Sequence, residues 1–181
     1  DLFPDELVTG LSPAQVRLCD PLPDPEDRID PNTRTRGIDN FESFMRLLGP
    51  VGREPAGAEA AAGEELFGAI GCASCHRPVL VTGPNADPLF DRKPVALFSD
   101  LLLHDVGTGD GIPQGAASAE EIRTPALWGL RFRRPLLHDG SAATPEDAIR
   151  AHGGEAAGAL TLYEALTGQA RAALLAFLRT L

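Results

Sequence analysis

Gly71-Cys72-Ala73-Ser74-Cys75-His76-Arg77-Pro78 is the stretch on which the reading of this 181-residue chain turns. Two thiols three positions apart, followed at once by an imidazole, suit the covalent attachment of one haem. The thiols of Cys72 and Cys75 form thioethers to its vinyl groups, and His76 turns onto the iron. With three cysteines and four histidines in the chain, chance produces this pattern in about one such chain in a thousand. A zinc site would need two further ligands at comparable spacing, and the remaining thiol, Cys19, stands alone. Pro78, two residues past His76, is expected to offer a backbone carbonyl to the imidazole N–H, the kind of bond that tunes a metal ligand.

Outward from the motif, Leu66, Phe67 and Ile70 form an apolar stripe, which predicts a helix over roughly 58–70 delivering the motif at its C-terminus. Phe41, Phe44, Met45 and Leu48 recur at helical spacing behind Asp39 or Asn40 as cap, with Gly49-Pro50 as the stop. Met45 falls on the apolar face and reads as core. Thr144-Pro145-Glu146-Asp147 is a helix start with Thr as cap, Pro at the first helical position and two acids at the positive end of the dipole. Gly153-Gly154 ends that helix, and Leu174, Phe177, Leu178 and Leu181 mark a last one from about 168. The segments 77–99 and 107–115 read as loops.

Composition agrees with a small mainly α domain carrying long Pro/Gly-rich loops. Sixteen prolines and nineteen glycines shorten the elements, and aromatic residues make up only 6%. A large cofactor would supply the missing apolar bulk, in a pocket formed by Phe67, Ile70, Leu127 and Trp128. The Pro- and Asp-rich run of residues 20–36 predicts an extended arm, so residues 1–38 are expected to be an N-terminal arm or linker and 39–181 the haem domain. A net charge of −10 and a pI near 4.8 exclude a nucleic-acid surface, and no apolar run is long enough to span a membrane. No secretory leader is visible behind Asp1, so a mature, cleaved or engineered start is expected. Haem attachment to Cys-x-x-Cys-His is completed outside the cytoplasmic membrane, which implies a periplasmic, exported protein.

The group on the other face of the iron comes from a short roster. Electron carriers commonly use Met, but the single methionine precedes the motif. Of the later histidines, His152 lies at the end of the capped helix in phase with Ala148 and Ile149 and is preferred. His104 and His138, each followed by Asp, suit hydrogen-bonding roles, or acid–base roles if the iron were open.

Further motifs carry a family resemblance: Phe98-Ser99-Asp100-Leu101-Leu102-Leu103-His104-Asp105-Val106-Gly107, Arg123-Thr124-Pro125-Ala126-Leu127-Trp128-Gly129, Leu136-Leu137-His138-Asp139-Gly140 and Glu146 to Ala156. In this order, with the haem motif, residues 39–181 resemble the C-terminal haem domain of the di-haem oxidoreductases of peroxidase type, relatives of bacterial di-haem cytochrome c peroxidase. The resemblance implies a cytochrome c-like fold. At the position of His152 it implies the distal ligand of the C-terminal haem, elsewhere commonly Met or Tyr, so His76 and His152 would make a bis-histidine iron. It also implies a calcium site through carbonyls just before His-Asp-Gly, at Arg133 and Pro135. The relatives carry two haems, whereas this chain has one motif. The partner is therefore expected to be an N-terminal haem domain or a separate redox protein. The expected role is electron transfer for a peroxidase-like oxidoreductase; a mono-haem peroxidase with an open distal site, or a haem-based sensor or binding module, are the alternatives.

Overall fold

A computed structural model describes residues 12–19 and 25–181. Its chain contacts divide the protein into two units, Asp1–Gly49 and Pro50–Leu181, whereas the arm expected from sequence ends at residue 38. The side chain of Cys19 lies outside the described residues.

Within the first unit, α1 spans Pro13–Cys19, a 3-10 turn spans Pro25–Asp27 and α2 spans Gly37–Leu47. The α2 start lies two to three residues before the expected cap. Arg36 takes the cap position, and Asp39 reaches back to accept its backbone N–H at 2.9 Å and its guanidinium at 2.7 Å. The expectation that Met45 is core is overturned. Met45 is 55% exposed, Phe41 and Phe44 more so, and α2 buries none of its residues. The apolar spacing was real, but a helical stripe becomes core only where a second apolar face meets it.

The second unit is built on α3 (Ala58–Ala69) and α6 (Gly168–Leu178). They meet backbone to backbone at Gly63, where a Cβ would lie 2.0 Å from the carbonyl oxygen of Ala173, so only glycine allows the approach. Phe67 of α3 and Phe177 of α6 pack edge to face with centroids 5.2 Å apart, and Phe98 completes the trio at 6.1 and 5.8 Å. Burial of each such ring stabilises the fold by about 1.5–3 kcal/mol. Two other helices cover this core: α4 (Pro145–Arg150), with the expected Thr144 cap accepting from the Asp147 N–H, and α5 (Ala157–Ala165). The sequence reading does not anticipate α5, yet its Tyr163 is fully buried.

Between α3 and α4 the chain is mostly irregular. It contains one ribbon of β1 (Leu80–Val81) with β2 (Pro94–Val95), and one of β3 (Leu103–Asp105) with β4 (Glu121–Arg123). Helices thus supply most of the regular structure. No helix among the described residues is long and apolar enough to cross a membrane.

Candidate functional site

The last turn of α3 is closed by Ile70, and Gly71 enters the left-handed region at φ 94°, which a side chain would resist. The chain then folds into a 3-10 turn over Cys72–Ser74, and the His76 N–H donates to the Cys72 carbonyl at 3.0 Å. Both cysteines are free and half-buried. Burial pushes the Cys72 thiol up to about 11 and raises that of Cys75.

The rings of His76 and His152 lie with centroids 6.4 Å apart and planes tilted at 56°. The Nδ1 of His76 lies 3.1 Å from the carbonyl oxygen of Phe98, and that of His152 lies 2.6 Å from the carbonyl oxygen of Ala148. A carbonyl only accepts, so each Nδ1 donates, and the lone pair of the neutral imidazole tautomer is on Nε2. Burial holds His76 neutral, with its pKa pulled down to about 4. An imidazole nitrogen sits about 2 Å from a bound transition metal, so two rings sharing one ion have centroids about 6 Å apart. The observed spacing meets that requirement.

One segment, Phe98 to Val106, touches both histidine-bearing turns. Besides its carbonyl on His76, it sends the Ser99 N–H to the Arg77 carbonyl (3.0 Å) and the Asp100 N–H to the Cys75 carbonyl (2.8 Å). At its far end the Val106 carbonyl accepts from the Gly153 N–H at 2.7 Å, next to His152. Phe98 and Leu101 both adopt positive φ, 55° and 63°, a conformation costing bulky residues about 1–3 kcal/mol each. Left-handed geometry at Phe98 accompanies the turn of its carbonyl onto His76. The proximal acceptor is therefore Phe98 rather than Pro78. Nothing in a side-chain sequence marks a backbone oxygen as an acceptor, which is why sequence reasoning misses Phe98.

Of the expected pocket residues, Phe67 and Ile70 are buried, and the Phe67 ring stands 6.4 Å from that of His76. Leu127 is half-buried against the core, its N–H on the Leu97 carbonyl at 2.9 Å. Trp128 is half-buried, with its carbonyl accepting from Arg133 at 3.2 Å. His104 lies in β3 and has both nitrogens engaged: Nε2 on Asp100 and Nδ1 on Glu155, each at 2.9 Å. The Glu155 and Asp100 carboxylates raise its pKa, and because a carboxylate accepts, both ring nitrogens are engaged as donors and neither offers a lone pair. His138 has its Nε2 4.0 Å from Asp110. Among the described residues, Cys75, Asp100 and His104 offer potential ligand atoms within 4.8 Å of one another, but these belong to the same site and the imidazole is spoken for. The Arg133 carbonyl accepts from the Arg134 guanidinium at 2.6 Å, so it faces a cation already and does not fit calcium.

Two neighbouring imidazoles, two free thiols in the adjoining turn, and exposed apolar side chains at Leu101, Leu102 and Leu103 on the bridging segment fit a haem. This defines a haem-binding, mainly helical protein. The family whose description reads "Di-haem oxidoreductase, putative peroxidase" matches residues 28–181, and the chain belongs to it. Among solved structures the chain is similar to hydrazine synthase of Kuenenia stuttgartiensis, determined under xenon pressure. Identity is 25% and the TM-score 0.52, over 76% of this chain and 52% of that one. It thus spans about half the length of that relative. No curated protein sequence matches it.

Proposed function

We propose that this chain is a cytochrome c-like electron-transfer domain, C-terminal in a di-haem peroxidase-type oxidoreductase of the periplasm. Cys72 and Cys75 would attach one haem c, and the Nε2 atoms of His76 and His152 would hold its iron. The observation that carries the reading is the pair of imidazoles 6.4 Å apart, each with Nδ1 tied to a carbonyl. When bound, the haem supplies one-electron iron chemistry.

The protein's part would be to hold both imidazoles in place and to keep water and peroxide from the iron. With both Nε2 atoms committed to the iron, no position would be left for peroxide, and the domain would store or relay electrons. The Phe98 carbonyl on Nδ1 would make His76 a stronger donor, and a second imidazole in place of Met would lower the potential further. Peroxide chemistry then falls to a second haem domain or to a separate redox partner, in keeping with a di-haem family and a single motif here.

The test is absorbance spectroscopy of the ferric holoprotein. A low-spin spectrum that turns high-spin in His152→Ala, with no peroxide turnover by the wild type, is expected. A high-spin wild type that turns over peroxide contradicts the reading.

A further inference from the structure

The bridging segment raises the question of what keeps His152 on its side of the gap. Its own helix contributes the Ala148 carbonyl at Nδ1 and the Ile149 carbonyl, which accepts the His152 N–H at 3.2 Å. Three residues on, Glu155 reaches back across the chain. Its Oε1 accepts the Asp105 N–H at 3.1 Å and its Oε2 accepts from His104 Nδ1 at 2.9 Å. His104 Nε2 in turn donates to Asp100, whose N–H is on the Cys75 carbonyl beside His76. Close approach of the two strands of this contact depends on Gly154, where a Cβ would fall 2.3 Å from the Asp105 carbonyl oxygen.

Resting on the bis-histidine reading, the structure assigns Glu155, His104 and Asp100 the role of a charged latch that positions His152 by tying its turn to the segment fixed against His76. The geometry has features a surface ion pair lacks. The Asp100 and His104 side chains are only 7% and 17% exposed, Glu155 is 57% exposed, and His104 bridges two carboxylates, one from the segment bonded to the Cys75 carbonyl and one three residues past His152. A cation held between two acids, each also bonded to a backbone N–H, has a single arrangement: Asp100 accepts from Leu102 at 2.9 Å, as Glu155 does from Asp105. The latch touches neither iron ligand through a side-chain bond; it acts through the backbone of the 152–155 turn. Its members are positioning residues.

The experiment is cyanide uptake by the ferric holoprotein, since cyanide enters only when an axial histidine leaves. Glu155→Ala and His104→Ala are expected to take up cyanide about tenfold faster or more, the effect of losing a charge-assisted hydrogen bond. His104→Lys, which restores a cation between the acids, recovers part of the difference. Asp39→Ala, which breaks an ion pair of similar length in α2, serves as control and leaves uptake unchanged. If the alanine variants fail to fold, Glu155→Gln keeps the shape without the charge and gives the same reading. Wild-type uptake rates in Glu155→Ala or Gln and in His104→Ala, with a low-spin wild type, overturn the latch and leave the bis-histidine reading standing. A low-spin spectrum that survives His152→Ala removes both.

Discussion

Two glycines on α3 predict opposite responses to one substitution. Replacing Gly by Ala inside a helix is worth about 0.8–1.0 kcal/mol by propensity alone. At Gly68 a Cβ meets nothing within 4 Å, so Gly68→Ala stabilises by up to that amount. At Gly63 the added Cβ meets the Ala173 carbonyl oxygen at 2.0 Å, its carbon at 2.5 Å and the Phe177 Cβ at 2.9 Å. Ordinary contact begins at 3.4 Å, so α3 and α6 must part by more than an ångström, and the obstacle is backbone rather than a mobile side-chain tip. Overpacking of this kind costs about 1–3 kcal/mol or more, which exceeds the propensity gain. We expect Gly63→Ala to lose about 1–2 kcal/mol net and, at about 2–4 °C per kcal/mol for a chain of this size, to melt several degrees lower. Thermal melts of the two holoproteins followed by far-UV circular dichroism make the comparison. A Gly63→Ala protein that melts higher, in step with Gly68→Ala, refutes the backbone-to-backbone seating of α3 on α6 and with it the placement of Cys72 at the end of a clamped helix.

Thr144→Ala removes the cap of α4, where Thr144 Oγ1 accepts from Asp147 at 3.1 Å; denaturant titration should show a loss of about 0.5–2 kcal/mol. Because α4 supplies the Ala148 carbonyl to His152, the same variant should bind cyanide more readily, and an unchanged rate would separate the cap from the site. Single substitutions Cys72→Ala and Cys75→Ala should each leave one thioether, and the double variant should release its haem to acid acetone, as read by mass spectrometry under denaturing conditions. The latch also carries a pH signature. His104 is raised above 6.5 chiefly by Glu155, so its stabilisation is complete below pH 6.5 and fades as pH climbs through its folded value. Glu155 is lowered below 4.5 chiefly by His104, so its share is present above pH 4.5 and fades as pH falls through its own folded value. The stability difference between wild type and His104→Ala should therefore peak between those limits; a flat difference across pH 3 to 9 counts against a charged latch.

What sequence could and could not reveal here follows from where each signal resides. The Cys72, Cys75 and His76 spacing is visible in sequence because it is local, three side chains within five positions. The place of His152 just past the end of α4 is legible because the Thr144-Pro145 cap fixes the start of that helix. The α3 and α6 helices are legible from their apolar stripes, but their closeness is not, since a glycine chosen for approach looks like any other. The α5 helix, Ala157–Ala165, is apolar on nearly every side and so offers no period to detect. The α2 stripe shows the converse, a clear period at Phe41, Phe44 and Met45 whose residues remain exposed. Phe98 and the Asp100–His104–Glu155 relay depend on a backbone oxygen, two left-handed residues and a pairing across 51 positions, none of which leaves a local mark.

The central claim is that two histidines meet one iron, and electron–nuclear double resonance on the ferric holoprotein counts them. With histidine nitrogen isotopically labelled, the account predicts two axial imidazole nitrogens in the wild type and one in His152→Ala. One axial imidazole in the wild type, or two that persist without His152, would contradict it.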